Sequence, residues 1–461
     1  MNDWILRQSG NDIGLEGADL GFTHAELARE SALLASKLQD AEVANAEPII
    51  LQISNGPWDV IGFLGIWAVG AVVVPLHVGA AASTREMVVR RTGARFSVAA
   101  GSVGAIAEGA PATRPLLNDA ALIVFTSGST GVPKGVVIGH GGFIAKLEML
   151  SKLLPLARSD VVLCPLQLTF IFGMWVTFLG LANGARVVLL PKFSMDTVGG
   201  LLRDCTTLAA VPTMLKLIVA APRPAPSKLR RILTGGESLG LTLPSKLKKY
   251  FPEAEYFDLF GLTETGSCDF CLAPSDQSVG LGTIGRPVPG VQFKLVPTEL
   301  SRSEREGELQ IKTPSRMLGY LDDPTLTDTS FDNGFFKTGD LARLRDDGLV
   351  ELVGRSKEII SRGGNKIAPL EIDNLFGEHP AVAAALCFSV PHANLGEALH
   401  MMVVLRSATN ITDKELRAWA ATKIEKFKIP DQIHIVEALP LGRTGKADRR
   451  AAASWVLSRS D

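Results

Sequence analysis

The chain has 461 residues, with 47 Lys and Arg against 48 Asp and Glu. That length calls for two or three domains, and the balanced charge gives no basis for a general affinity for nucleic acid or anionic membranes. Apolar residues make up 46% of the chain and are spread along it, which argues for a globular fold and against disorder. Cys164, Cys205, Cys268, Cys271 and Cys387 form an odd, scattered set, and the opening MNDWILRQSGND has no apolar export core. Both features point to a reducing, cytoplasmic setting. Cys268 and Cys271 form a C-x-x-C with no second pair and no His at ligand spacing, so core packing or pocket lining is favoured over zinc or redox chemistry.

In chain order, Thr23-His24-Ala25-Glu26 reads as a capping box ahead of a helix with apolar periodicity. Residues 49–53 read as a strand, 60–70 as a helix and 71–75 as the next strand, a β-α-β rhythm that implies parallel pairing with right-handed crossovers. Residues 97–120 are rich in Gly, Ala and Pro and read as a loop. The stretch 161–185 carries no charge, but Pro165, Gln167, Thr169, Gly173 and Gly180 interrupt it, so a buried strand followed by a buried helix is expected and a membrane span is not. Strands follow at 186–191, 207–212 and 229–233, with a helix from Met195. After Gly280 the strands become short and turn-punctuated (291–296, 308–312, 349–352), as in a small β-rich lobe. Beyond about residue 355 lies a compact α+β pattern: helix 371–376, strands 382–390 and 399–405, helix 412–424 and strand 432–436. The expected fold class is α/β, with layered βαβ subdomains and the β-rich lobe in residues 1–355 and a small α+β domain in 356–461.

One stretch, residues 121–140, organises the chemistry. The apolar run Leu122-Ile123-Val124-Phe125 leads into Thr126-Ser127-Gly128-Ser129-Thr130-Gly131, then Val132-Pro133-Lys134-Gly135 and the β-branched run Val136-Val137-Ile138. Glycines let backbone N–H groups converge, hydroxyls add donors and Lys134 adds a point charge, which together suit a phosphate chain. The common phosphate loop would continue from Gly-Lys-Ser/Thr into a helix, and this one returns to a strand. TSGSTGVPKGV is similar to the phosphate-binding signature of the adenylate-forming superfamily, which includes acyl-CoA synthetases, peptide-synthetase adenylation domains and luciferases.

Further stretches resemble that family's motifs in the expected order. Thr234-Gly235-Gly236-Glu237-Ser238 matches the segment that covers the adenine, which makes Gly235, Gly236 and Glu237 candidate ATP contacts. Asp258-Leu259-Phe260-Gly261-Leu262-Thr263-Glu264 resembles the Tyr-Gly-x-Thr-Glu element, with Phe260 in the Tyr position and Asp258 in that of an Asn. The resemblance implies that Phe260 stacks on the base, Asp258 accepts from its amine, Thr263 contacts the α-phosphate and Glu264 holds Mg²⁺. Lys337-Thr338-Gly339-Asp340 and Gly354-Arg355 resemble the ribose-binding element, with Asp340 accepting from the diol and Arg355 as a second contact. Lys357 stands at the family's hinge, which implies a mobile C-terminal domain. Gly363 and Gly364 match the loop that admits the pantetheine arm of a thiol substrate. Gly442-Arg443-Thr444-Gly445-Lys446 resembles the closing Gly-Lys element, which makes Lys446 the catalytic lysine that bridges carboxylate and α-phosphate.

The implied reaction is ATP-dependent activation of a carboxylic acid to an acyl- or aryl-adenylate, followed by transfer to the thiol of CoA. Phe170, Ile171, Met174, Leu259 and Gly261 are the candidate acid pocket. Ile171 stands where amino-acid-activating relatives carry an Asp, and a buried unpaired ammonium would be costly, so an aromatic or medium aliphatic acid is expected. Gly445-Lys446-Ala447-Asp448-Arg449-Arg450 also resembles the ending of carrier-loading relatives. A phosphopantetheinyl acyl carrier protein, acting in trans because no carrier domain precedes Asp461, is therefore an alternative acceptor. A non-catalytic nucleotide- or acyl-binding relative is the rival reading. The intact set of Glu264, Asp340, Arg355 and Lys446 argues against it.

Overall fold

The computed structural model of the protein describes residues 1–7, 12–17, 20–111, 113–126, 133–221, 228–299, 301, 303–406, 409, 411–441 and 447–459. Among these residues the strands assemble into four sheets. The chain adopts the expected mixed α/β architecture, a large N-terminal assembly followed by a small C-terminal one.

The first sheet has seven strands, ordered Gly319–Tyr320, Lys134–Gly139, Ala120–Thr126, Val72–His77, Pro48–Ile53, Phe96–Ala99 and Ser102–Ala105. Its middle strands pair in parallel, as the β-α-β rhythm requires. Ala120–Thr126 and Lys134–Gly139 pair antiparallel, with Thr126 opposite Lys134. The Gly/Ser/Thr-rich stretch therefore leaves and re-enters the same sheet, and residues 127–132 lie outside the described ones. The second sheet sets Glu255–Phe260, Arg231–Gly235, Thr207–Ala209, Val161–Cys164 and Arg186–Leu189 side by side in parallel.

Two helices, Pro57–Ala68 and Ile171–Ala182, are buried on nearly every side and pack among residues of both sheets. The Phe178 ring meets Phe63 at 5.5 Å and Trp67 at 5.2 Å, and Trp67 Nε1 donates to Ala121 O at 2.9 Å. The charge-free stretch 161–185 is thus a strand and a 12-residue helix in the core. No helix among the described residues is long and apolar enough to cross a membrane.

The third sheet is antiparallel, with Gln292–Val296, Glu306–Lys312, Phe335–Leu344 and Val350–Arg355 in succession. The fourth holds Ile360–Arg362, Asn365–Ile367, Val382–His392 and Gly396–Leu405, with Gln432–Ile435 parallel to the last. Its apolar clusters draw only on residues from Ile360 onward.

Two sequence expectations need correction, and the tail holds a helix that the sequence reading did not assign. Residues 97–120 are not simply a loop, since Phe96–Ala99 and Ser102–Ala105 form an antiparallel hairpin at the sheet edge. Its small residues carry little apolar alternation, so the backbone ladder to Pro48–Ile53 supplies what the pattern lacks. The helix expected at 412–424 is confined to Asp413–Ala420. The tail after the Gly-Lys element contains the helix Arg449–Leu457, capped by Asp448 and burying Ala452 and Val456.

The capping box of the helix His24–Asp40 is present as read: Thr23 Oγ1 accepts from Glu26 N at 3.1 Å and Glu26 Oε2 accepts from Thr23 N at 2.8 Å. Thr23→Ala is expected to cost about 1 kcal/mol of local stability. Faster amide hydrogen exchange confined to the first turn of that helix would register the loss.

Candidate functional site

The site forms where three of the sheets meet, and each contributes a charged side chain from a strand end or the turn beside it. Lys134 opens its strand in the first sheet. Tyr320 comes from the edge strand beside it, paired with Val136. Its buried ring lies under the Lys134 ammonium, with Nζ 4.9 Å from the ring centroid. The phenol donates to Glu264 Oε1 at 3.0 Å. Glu264 sits on the one-turn helix Thr263–Thr265, just beyond the strand Glu255–Phe260 of the second sheet. Burial first, then the Glu264 charge, pushes the Tyr320 phenol well up, so it remains a donor at neutral pH.

The third sheet supplies Asp340 and Arg355, which face each other across neighbouring strands. Arg355 Nε donates to the buried Asp340 Oδ1 at 2.6 Å, and the Asp340 charge raises the Arg355 pKa further, with Glu264 adding a smaller contribution. The mutual field of Arg355 and Glu264 places the two in one electrostatic neighbourhood.

Gly235 pairs with Leu259, and Thr234 with Asp258, across the parallel strands of the second sheet. A Cβ on Gly235 would stand 2.3 Å from Leu259 O, so the first glycine of the pair is required by the closeness of the two strands. Gly236 follows at the surface. Glu237 turns away to the helix Pro212–Ala220, where its carboxylate accepts from Thr213 N at 3.1 Å and Thr213 Oγ1 at 2.7 Å. Burial pushes the Asp258 carboxyl up to about 7. Near neutral pH it is therefore available both as a donor and as an acceptor, where the sequence offered an acceptor alone.

Of the proposed acid-pocket residues, Phe170 is exposed at the N-terminus of the helix Ile171–Ala182, and Ile171 and Leu259 are nearly closed off. Met174 is 0% exposed and belongs to the central core. Phe260 is half-buried, edge-on to Phe270 at 6.2 Å, and Gly261 lies beside it in the turn that leads to Thr263. Lys357 is exposed on the short turn Ser356–Glu358. Gly363 and Gly364 have φ of +56° and +85° and form the two-residue turn between Ile360–Arg362 and Asn365–Ile367. Positive φ at both central residues is a backbone reason for a Gly-Gly pair there. Ser127, Gly128, Ser129, Thr130, Gly131 and Lys446 lie outside the described residues.

Beneath the Glu264 turn is a polar network that sequence reading missed. Lys146, 1% exposed in the helix His140–Leu153, donates to Asp269 Oδ1 and to Cys268 O, both at 3.0 Å. Asp269 also accepts from Thr265 Oγ1, and Ser315 Oγ donates to Thr265 O at 2.9 Å. Burial raises the Asp269 pKa, against the opposing pull of Lys146. The available signal was one lysine at helical spacing with Phe143, Leu147 and Leu150, the apolar residues that this helix buries. Cys268 and Cys271 are buried free thiols, and burial raises Cys268 to about 12.

Two measurements probe this geometry. Lys146→Met leaves the Asp269 carboxyl buried without its cation and is expected to cost about 3–5 kcal/mol in chemical denaturation. Adding Asp269→Leu should recover much of that loss. The folded-state value of Asp258, about 7, lies above the ordinary carboxyl value near ~4. The folded chain therefore holds the extra proton, and the ligand-free protein should lose stability as pH rises from about 4 to about 7 and level off above that. In melting curves across this range, Asp258→Asn should flatten that slope.

Comparison with known proteins bears on the same residues. The AMP-binding enzyme family matches residues 6–115 and 104–321, and the AMP-binding enzyme C-terminal domain matches 371–446. An oxalate–CoA ligase from Arabidopsis thaliana is 30% identical over 354 residues, covering 74% of this chain and 68% of its own length. A 2-succinylbenzoate–CoA ligase from Bacillus velezensis is 33% identical, covering 72% of this chain and 68% of its own length. A fatty acid–[acyl-carrier-protein] ligase from Streptomyces coeruleorubidus is 30% identical, covering 71% of this chain and 66% of its own. Among solved structures, the Bacillus subtilis o-succinylbenzoate CoA synthetase with its acyl-adenylate intermediate superposes with a TM-score of 0.84. It is 26% identical, and 98% of this chain and 97% of that one are covered. The ATP-bound MatB of Rhodopseudomonas palustris shares the fold at a TM-score of 0.89, with 22% identity and 98% of each chain covered.

Proposed function

We propose, from the premise that this chain belongs to the AMP-binding, adenylate-forming enzyme family, that it activates a small carboxylic acid with ATP and passes the acyl group to the thiol of coenzyme A. The observation that carries this reading is the convergence of Glu264, Tyr320 and Lys134 beside the Asp340–Arg355 pair. It combines one hard carboxylate, two cations and a second, buried carboxylate at the end of a Gly/Ser/Thr-rich stretch.

A carboxylate and a nucleotide triphosphate repel one another, so the protein must supply positive charge and alignment. Lys134 and the backbone around 126–131 hold the phosphates, Asp340 accepts from the ribose diol, and Arg355 buttresses Asp340 while facing the same anions. Glu264, half-buried with one oxygen already bound by the Tyr320 phenol, is a hard oxygen donor of the kind Mg²⁺ takes, and it would hold that ion. Held by Glu264, the ion would supply positive charge to offset that of the phosphates. Lys446 enters between acid and α-phosphate while the new C–O–P linkage forms and pyrophosphate leaves. The domains are residues 1–355 and 356–461. Rotation at Lys357 then withdraws Lys446 and brings up the Gly363–Gly364 turn for the thiol. Where the acid binds, Phe170, Ile171, Leu259, Phe260 and Gly261 carry no charge, which supports an acid with an apolar aromatic or medium aliphatic body over a zwitterion; Met174, fully buried in the core, is not among the lining residues. A carrier-borne phosphopantetheine is the second acceptor, favoured by the likeness to a fatty acid–[acyl-carrier-protein] ligase.

The test is acid-dependent exchange of labelled pyrophosphate into ATP across a panel of aryl, aliphatic and amino acids, followed by thioester formation with CoA or with a phosphopantetheinylated carrier. Exchange with an apolar acid, and its loss by at least about a hundredfold in Lys446→Ala, is expected from removing a charge used in the transition state. No exchange with any acid, or undiminished exchange in the variant, overturns the reading.

A further inference from the structure

Tyr320 came from no motif, yet it touches both charges on which the proposed chemistry turns. Its strand pairs with the one that Lys134 opens, and its hydroxyl reaches across to the second sheet. The turn bearing Glu264 is also stitched to the chain entering that strand, since Met317 N donates to Glu264 O at 2.7 Å.

We propose that Tyr320 is a positioning residue that holds the metal-binding carboxylate and the phosphate-binding lysine apart, each aimed at its own ligand. This rests on the function proposed above. Lys134 and Glu264 carry opposite charges on neighbouring elements. If they met directly they would form an ion pair, and each would be spent on the other. Among the described residues they make no ion pair. Instead the Lys134 ammonium rests on the face of the Tyr320 ring at 4.9 Å, while the opposite end of the same side chain donates to Glu264 Oε1 at 3.0 Å. The ring attracts the cation through its quadrupole and leaves the ammonium hydrogens free to donate to phosphate oxygens. The phenol occupies one carboxylate oxygen and leaves the other for a cation, as hydrogen-bonded metal-ligating carboxylates generally do. Tyr320 is 4% exposed, so its rotamer is fixed by packing, and both contacts are set before any ligand arrives.

The experiment uses the full chain, with ATP and Mn²⁺ as probes. Mn²⁺ binding to the ATP complex is followed by electron paramagnetic resonance, and ATP binding in EDTA by calorimetry. Tyr320→Phe keeps the ring and removes the donor. It should weaken Mn²⁺ binding about ten- to a hundredfold while leaving metal-free ATP affinity unchanged. In a Glu264→Gln background the same change should have no further effect on Mn²⁺, because the phenol acts through that carboxylate. Tyr320→Leu removes the ring as well and should also weaken ATP binding in EDTA, as Lys134 collapses toward Glu264. Mn²⁺ affinity equal to wild type in Tyr320→Phe overturns the inference. So does an equal loss with and without metal, which would mark a merely structural residue. If the wild-type protein itself shows no metal-dependent ATP binding, it is the proposed function that fails.

Discussion

The hydrogen bond from Tyr320 to Glu264 joins two sheets at the point where a highly charged substrate would have to be received. Each of those sheets is internally complete. One apolar face of each is covered by the buried helices Pro57–Ala68 and Ile171–Ala182, and the other faces pack in clusters of their own, under Ala82–Thr92 for the first sheet and under Met195–Leu201, Pro212–Ala220 and Leu243–Tyr250 for the second. What the sheets cannot do singly is gather charges of both signs in one small volume. Lys134, Tyr320 and Arg355 stay in their ladders, opposite Thr126, Val136 and Asp340, and Glu264 sits in a turn just beyond a strand, so all four side chains project at the margins of the sheets. The site is therefore a property of how the sheets meet, and its precision depends on the rigidity of that junction.

That rigidity has an identifiable source. The turn Thr263–Thr265 is short and follows a strand directly, so little within it resists displacement. Support comes from below, through the buried Lys146–Asp269 pair, the Thr265 hydroxyl and the Ser315 hydroxyl. A buried ion pair is a poor net source of stability, because desolvation consumes most of the attraction. Its value lies in directionality. Lys146 reaches Asp269 and Cys268 O together, which pins residues 268–269, and Asp269 in turn holds the helix that carries Glu264. The network fixes an orientation that apolar packing alone would leave looser.

The parts of the molecule legible in the sequence were those governed by local rules. Thr23 and Glu26 announced a helix start because a capping box is a contact between near neighbours. The parallel strands were visible as apolar β-branched runs with helices between them. The candidate ligand-binding residues were legible only through resemblance, since nothing in the spacing of Glu264, Asp340 and Arg355 shows that they approach one another. Tyr320 and Lys146 escaped both routes. Each acts through partners more than fifty residues away, Glu264 for the one and Asp269 for the other, and a long-range pair leaves no periodic trace. The hairpin at Phe96–Ala99 escaped for a different reason: its small residues earn their place from neighbouring strands, not from their own propensity.

The C-terminal sheet shows the same division of labour. Arg449, at the start of the last helix, donates to Glu358 Oε2 at 3.0 Å, to Asp373 Oδ2 at 2.7 Å and to Cys387 O at 2.5 Å. Glu358 lies next to Lys357, the position where resemblance sets the hinge. Arg449 also follows closely after Lys446 in the sequence. On either side of residues 442–446, Leu441 and Ala447 pair as an antiparallel bridge, and Asp448 caps the helix that Arg449 begins. The chain leading to and from the lysine is thus anchored to the same body that grips the residue beside the hinge. A rotation about Lys357 would carry both together, because breaking Arg449 away would strand the buried Asp373 carboxylate without its cation. If Lys357 is the hinge, as proposed, its coupling to Lys446 would be a matter of charge burial at Asp373 and Arg449.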